Sequence, residues 1–302
     1  MIRIGMMDLD TGHGPAFTNG LNRMDDVRVT AVYDHGDVRS RKDVQTFCQL
    51  KECQLTTSID ELASLVDGVM VLGVDWNKRF ERAAQLIQRH VPVFICKPAL
   101  GSVRDVDALI QMQHQTGSLV MAGSGWRWCK PTQEAAAIID INTVTNFNVY
   151  SPSPRFYYGI HAWELLAGLL GPGIQWVELV QATNDMTQFK CAHQSGVEGM
   201  VHIGGEPRRL IQWCDATGEH ELELPIPDIH EGFIGTFVQM IRTGKMPDRI
   251  ESQLEPIRSA LLAEQAFEKG IRQSLSELEM DRSVSSTEFM STYDPRPLLP
   301  PS

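Results

Sequence analysis

The stretch best suited to chemistry is Val91-Pro92-Val93-Phe94-Ile95-Cys96-Lys97-Pro98-Ala99-Leu100. It reads as a short buried strand. Pro98 has no amide donor and holds its predecessor extended, so the strand ends with Lys97 at its carboxyl edge. Ligands of an open α/β sheet bind along that edge. A lysine there is a cation and proton donor aimed into a crevice; a surface lysine after a core strand is the plainer alternative.

Asp34 is the second such position. The order strand 1–7, loop 8–15, helix to about Asn22, strand 27–33 and then Asp34 is the dinucleotide-binding plan. In it a carboxylate after the second strand hydrogen-bonds ribose hydroxyls, which favours NAD over a 2′-phosphorylated cofactor. The alternative is a turn aspartate. The loop between them departs from the glycine fingerprint. Asp8 and Asp10 stand where the first two glycines belong, and His13 stands near the third. Two carboxylates beside a diphosphate repel it unless their side chains turn away. Thr11, Gly12 and Gly14 remain able to present backbone amides at the helix start.

The elements that must hold these residues alternate. Helices are expected near 40–50, after Ser58, up to about His90 and over 104–115. Strands are expected near 54–57, 69–74, 91–97 and 118–122. This alternation specifies a doubly wound parallel sheet with helices on both faces, ending near Gly123. Asp75, Trp76 and Asn77 follow the fourth strand, where cofactor or substrate contacts are expected. Beyond residue 123, strand-like stretches at 143–150, 175–183, 187–193, 198–203 and 208–214 suggest an α+β domain with a largely antiparallel open sheet. Helices are expected over 159–170, 229–243 and 254–269. The expected organisation is therefore 1–123, 124–275 and a polar tail, 276–302, that is either disordered or an arm lying on another subunit.

Composition bounds the function. The chain has 302 residues, enough for two domains, and a net charge of −11. That balance argues against a nucleic-acid groove and an anionic membrane surface, while leaving room for a local basic pocket. The six cysteines show no metal-like spacing and read as reduced thiols. The chain opens on a strand rather than a signal peptide. No apolar run approaches the roughly 20 residues needed to span a bilayer. A soluble cytoplasmic protein is expected.

Four features together resemble the Gfo/Idh/MocA family of nicotinamide-dependent sugar and cyclitol dehydrogenases. The N-terminal unit ends in Asp34. Cys96-Lys97-Pro98 resembles the family's Glu-Lys-Pro. Trp126-Arg127-Trp128 with Pro131 resembles the passage between domains. Gly159-Ile160-His161 with Glu164 resembles the helix bearing the family's catalytic histidine. The 237–247 and 255–270 segments also look familial.

The resemblance implies an NAD(P)-dependent oxidoreductase acting on a hydroxyl carbon of a sugar, cyclitol or sugar derivative. Lys97 and His161 match the positions that handle the proton and the developing alkoxide, roles that suit a lysine and a histidine. Tyr157 stands where many members carry a carboxylate, and Cys96 replaces an acid. Glu164, three residues after His161, shares its helix face and is expected to orient the imidazole or bind substrate; a metal is not expected. Arg155, Tyr158 and Arg127 are expected along the substrate pocket. Asp10, Thr11, Gly12, His13, Asp34, Asp75, Trp76, Asn77 and Lys97 are expected at the cofactor, NAD rather than NADP. A homodimer or homotetramer and a small polyol or sugar-like substrate complete the expectation. The alternatives are a lyase, epimerase or glycosidase that retains NAD through transient oxidation, and a non-catalytic sensor with a decayed dinucleotide site.

Overall fold

The computed structural model describes residues 1–298, without the side chains of residues 227 and 228. Residues 299–302 of the expected tail lie outside the described residues.

The first half alternates strands β1 (Ile2–Met7), β2 (Val27–Tyr33), β3 (Gln54–Leu55), β4 (Gly68–Val71), β5 (Val93–Cys96) and β6 (Val120–Gly123) with helices. The helices are α1 (His13–Asn22), α2 (Arg41–Lys51), α3 (Ile59–Leu65), α4 (Arg79–Ile87) and α5 (Val103–Thr116). All six strands are parallel, in the order β3-β2-β1-β4-β5-β6. Strands covered on both faces must be apolar throughout, and every residue of β4, β5 and β6 is buried. Serine caps set three of the helix starts: Ser40, Ser58 and Ser102 accept the amides of Asp43, Glu61 and Asp105.

The second half contains α6 (Gly125–Trp128), α7 (Lys130–Ile138), β7 (Asn146–Ser151), α8 (Ile160–Leu170), β8 (Ile174–Ala182), β9 (Met186–His193), β10 (Glu198–Gly204), β11 (Leu210–Asp215), β12 (Gly218–Glu223), α9 (Ile226–Thr243), α10 (Ile250–Lys269), β13 (Gln273–Ser274) and α11 (Thr287–Thr292). Its seven strands run β12-β11-β7-β10-β9-β8-β13. Only the β7–β10 pair is parallel. The apolar side chains of β7, β10 and β11, such as Val149, Val201 and Ile211, are fully buried on the face covered by α8 and α10. The open face instead carries polar groups. His202 stacks on Tyr150 and lies within hydrogen-bond distance of Asn148 and Gln188.

The halves are sewn together by side chains of the last two long helices. Phe233 of α9 packs edge-on against Phe94 of β5, ring centroids 4.2 Å apart. Gln253 of α10 accepts the Ala122 amide at 2.9 Å and donates to the Val120 carbonyl at 3.1 Å, which covers the edge of β6. The helix expected from residue 254 begins at Ile250 and runs through Pro256. Proline cannot donate to the carbonyl four residues back. Arg127 meets that need, donating to the Ser252 carbonyl at 2.8 Å.

The C-terminal segment, as far as residue 298, packs on its own chain. Val103 donates its amide to the Arg282 carbonyl, and Val284 donates its amide to the Gly101 carbonyl. Trp76 donates its indole proton to the Val284 carbonyl at 2.7 Å, and Ser286 bonds Asp75 at 2.5 Å. Tyr293 Oη donates to the Asp10 carbonyl at 3.1 Å, and Arg39 donates to the Arg296 carbonyl at 2.6 Å. The segment thus runs along the loops that follow β1, β2 and β4.

Arg79, only 1% exposed, ties the ends of β4 and β5 by donating to the carbonyls of Gly73, Cys96 and Pro98. Truncating it leaves three carbonyls without this donor. Arg79→Met is expected to cost at least about 3 kcal/mol of unfolding free energy, read from urea denaturation; a loss below about 1 kcal/mol contradicts this role.

Candidate active site

Lys97 lies at the end of β5, joined to Pro98 by a cis peptide, and is only 3% exposed. Its Nζ sits 3.6 Å from the ring centre of Tyr157 and 4.4 Å from that of Tyr158. It donates to the Tyr157 carbonyl at 3.4 Å. Among the described residues no carboxylate pairs with it. Burial lowers its pKa to about 7, with Arg79 pushing the same way and Cys96 opposing. The amine therefore changes protonation near neutrality.

His161 begins α8 across the cavity from β5. Its Nδ1 lies 2.5 Å from Ser124 Oγ, and its ring stacks on Trp126 at 4.6 Å. Ser124 Oγ already accepts the Trp126 amide, so its own proton is available to Nδ1. That leaves Nε2 for the cavity. Burial, and then Lys97, hold the imidazole well below its ordinary pKa, so it is neutral.

These residues share a cavity of about 630 Å³ with the start of α1 (Thr11, Gly12, His13) and with Cys96, Tyr157 and Tyr158. Cys96 Sγ lies 3.3 Å from His13 Nδ1. Burial raises the thiol pKa and depresses that of the imidazole, so the pair stays neutral. Tyr157 is a neutral phenol, its pKa raised by burial, and it stacks on Phe289 of the C-terminal segment at 4.2 Å. It presents its ring to Lys97 rather than an anion.

The two aspartates of the first loop turn away from the cavity. Asp8, at a φ of 65°, pairs with Arg82 at 2.7 Å and accepts from the His35 amide at 3.0 Å. Asp10 accepts the Val74 amide at 2.9 Å, and burial raises its pKa to about 7. The repulsion expected from the sequence is thereby relieved at the helix start. Asp34 follows β2 and accepts from the amides of Leu9 (2.9 Å) and Gly36 (2.8 Å). Each carboxylate oxygen has a second lone pair, so capacity for ribose hydroxyls remains. A Cβ at Gly12 would meet nothing within 4 Å, leaving open space beside the start of α1. These features fit a dinucleotide whose diphosphate rests at α1 and whose reactive end points to Lys97.

Several expected site residues lie elsewhere. Glu164 is fully buried behind Gly123, where a Cβ would come within 2.2 Å of Oε1, and it does not line the cavity. Among the described residues neither of its oxygens has a well-formed hydrogen bond, and burial raises its pKa to about 8 against the opposing pull of Arg127 and the Ser124 amide. Arg155 forms a bidentate pair with Glu264 and covers the Phe267 ring. Arg127 is committed to Asp248 and Ser252. Trp76 packs under Phe289, and Asp75 and Asn77 are engaged by Ser286 and Ser285. None of the six lines the cavity: Asn77 is exposed, and the other five are packed or paired as described.

The cavity wall also includes Arg209, His230, Tyr293 and Arg296, which no spacing in the sequence singles out. Among the described residues, no group of three or more His, Cys, Asp or Glu side chains is placed to hold a metal. No described helix is long and apolar enough to cross a membrane.

Residues 3–124 match the Gfo/Idh/MocA family, described as an oxidoreductase family with an NAD-binding Rossmann fold. No curated protein matches the chain at a significant level. Among solved structures, a putative myo-inositol dehydrogenase from Sinorhizobium meliloti shares 15% identity and a TM-score of 0.78, over 91% of this chain and 100% of that one. Scyllo-inositol dehydrogenase from Lactobacillus casei, solved with NAD(H) and scyllo-inositol, shares 13% identity and a TM-score of 0.79, over 91% and 99% of the two chains. A UDP-N-acetylglucosamine 3-dehydrogenase from Acidithiobacillus ferrooxidans shares 17% identity and a TM-score of 0.75, over 89% and 98%. At these identities the likeness establishes the fold over both halves, and the sequence match rests on the first. Residues 3–124 thus carry the NAD-binding Rossmann fold of the Gfo/Idh/MocA oxidoreductase family, and the chain as a whole shares its two-part fold with distant dehydrogenases of known structure.

Proposed function

We propose that this protein oxidises a hydroxyl-bearing carbon of a polyol, sugar or sugar derivative with NAD, or catalyses the reverse reduction. The observation that carries this reading is Lys97: a buried lysine with no carboxylate partner among the described residues, its pKa near 7, in one cavity with His161 and the start of α1. When bound, NAD supplies the hydride acceptor. Neutral Lys97 takes the hydroxyl proton, and the resulting ammonium stabilises negative charge on the substrate oxygen. His161, held through Ser124, offers Nε2 to a substrate hydroxyl. The amides of Thr11, Gly12 and His13 hold the diphosphate, and Asp34 selects NAD through the ribose. Myo-inositol and UDP-N-acetylglucosamine dehydrogenases among the structural neighbours supply the substrate class.

The test is deuterium transfer. Incubating the protein and NAD with perdeuterated polyols and sugars is expected to place deuterium at nicotinamide C4, detected by mass spectrometry. No transfer from any of them, at any pH between about 6 and 10, contradicts the reading. A second reading, a lyase or epimerase that retains its cofactor, draws on the C-terminal segment. Tyr293 and Arg39 fasten that segment across the Asp10 loop. Label on protein-bound NADH with no free NADH released distinguishes it.

A further inference from the structure

We propose that the substrate carries an anionic group, a carboxylate or a phosphate, seated on Arg209; this rests on the cavity just assigned to substrate. Arg209 precedes β11 and reaches the cavity from the second half of the chain. Both ends of it are clamped to Leu224: its carbonyl accepts the Leu224 amide at 2.8 Å, and its Nε donates to the Leu224 carbonyl at 3.3 Å. The two terminal nitrogens of the guanidinium have no carboxylate partner among the described residues. An arginine so held is a preorganised fork for a planar or tetrahedral oxyanion.

The surrounding wall points the same way. A neutral polyol is recognised by acceptors for its hydroxyl protons, and buried carboxylates are the strongest of them. Among the described lining residues the only carboxylate is Asp294, on the C-terminal segment, while Arg209 and Arg296 are cationic and Lys97 joins them when protonated. Glu164, the expected substrate acid, is shut behind Gly123. In a chain of net charge −11 this concentration of positive charge is local. The cations also divide by side. Arg296 lies on the C-terminal segment that Arg39 ties to the Asp10 loop, beside the start of α1 where the diphosphate belongs, whereas Arg209 enters from the edge of β11 in the second half. The dinucleotide therefore does not account for Arg209, and the second anion is assigned to the substrate.

Titration calorimetry of the full chain, with and without NADH, tests this with three probes: D-glucuronate, D-glucose 6-phosphate and myo-inositol. At least one anion is expected to bind about tenfold or more tightly than myo-inositol, a difference of about 1.4 kcal/mol. Whichever anion binds identifies the group. Arg209→Gln is expected to abolish the preference, and Arg209→Lys to restore part of it. Equal binding of all three, no binding by any, or a preference that survives Arg209→Gln overturns the proposal. NADH binding, followed separately by its fluorescence, reports on the dinucleotide reading. Anion preference without NADH binding leaves Arg209 assigned and removes the cofactor; NADH binding without anion preference does the reverse.

Discussion

Lys97→Met is expected to lower turnover by about 10²–10⁴-fold while leaving the protein folded and, below about pH 7, more stable than the wild type. Both effects have one origin. Lys97 is buried against two tyrosine rings, with no counter-charge among the described residues, and its pKa is lowered from 10.5 to about 7. Between those values the unfolded chain holds a proton that the folded chain has released. Wild-type stability therefore rises with pH from about 7 towards 10.5, and the penalty is complete below 7. Methionine fills similar volume without charge, so its advantage is greatest in acid and disappears in alkali. Oxidation by the wild type is expected to rise through about pH 7 as the neutral amine forms. Steady-state rates and denaturation curves over that range check both halves. A Lys97→Met protein that keeps wild-type turnover removes Lys97 from the chemistry.

Glu164→Gln is expected to have the opposite pH signature. Glu164 holds its proton in the fold up to about pH 8, whereas its ordinary value is 4.5. Between these values the folded chain binds the extra proton, so wild-type stability is full below 4.5 and falls as pH rises towards 8. Glutamine copies the neutral acid. It should match the wild type near about pH 5 and exceed it by on the order of a few kcal/mol near about pH 9. Equal stability at both pH values would show that Glu164 ionises without cost, inconsistent with its burial against Gly123 and with the lack of a well-formed hydrogen bond to its oxygens among the described residues. Together the two variants separate a buried base that acts on substrate from a buried acid that does not.

The first half of the fold was legible because its determinants are local. β2 occupies Val27–Tyr33 as its apolar run indicates, and Ser58 caps α3 as its sequence suggests. The edge strand β12 was not legible: Gly218–Glu223 is almost wholly polar, with no apolar face to reveal it. The first turn of the helix through Pro256, residues 250–253, was not legible because the bond missing at the proline is compensated by Arg127, far away in sequence.

At the site, Lys97 and His161 stand in one cavity because the end of β5 and the first turn of α8 both open onto it. Glu164 lies three residues from His161 in sequence but outside the cavity. Its place was decided by Gly123, whose missing side chain leaves the space it fills. Asp8 and Asp10 looked hostile to a diphosphate until Arg82 and the Val74 amide, both more than 60 residues away, drew them inward. Tyr293 reaches Asp10 from 283 residues along the chain, a closure that no local pattern encodes.

The most direct test of the central claim is dinucleotide binding by the intact chain. Trp126 stacks on His161 in the cavity wall, so NADH seated there should draw energy from the indole. The expected result is saturable transfer from tryptophan to NADH, displaced by NAD and weaker with NADPH. Absence of any transfer or thermal stabilisation by NAD(H) or NADP(H) at millimolar concentration would contradict it.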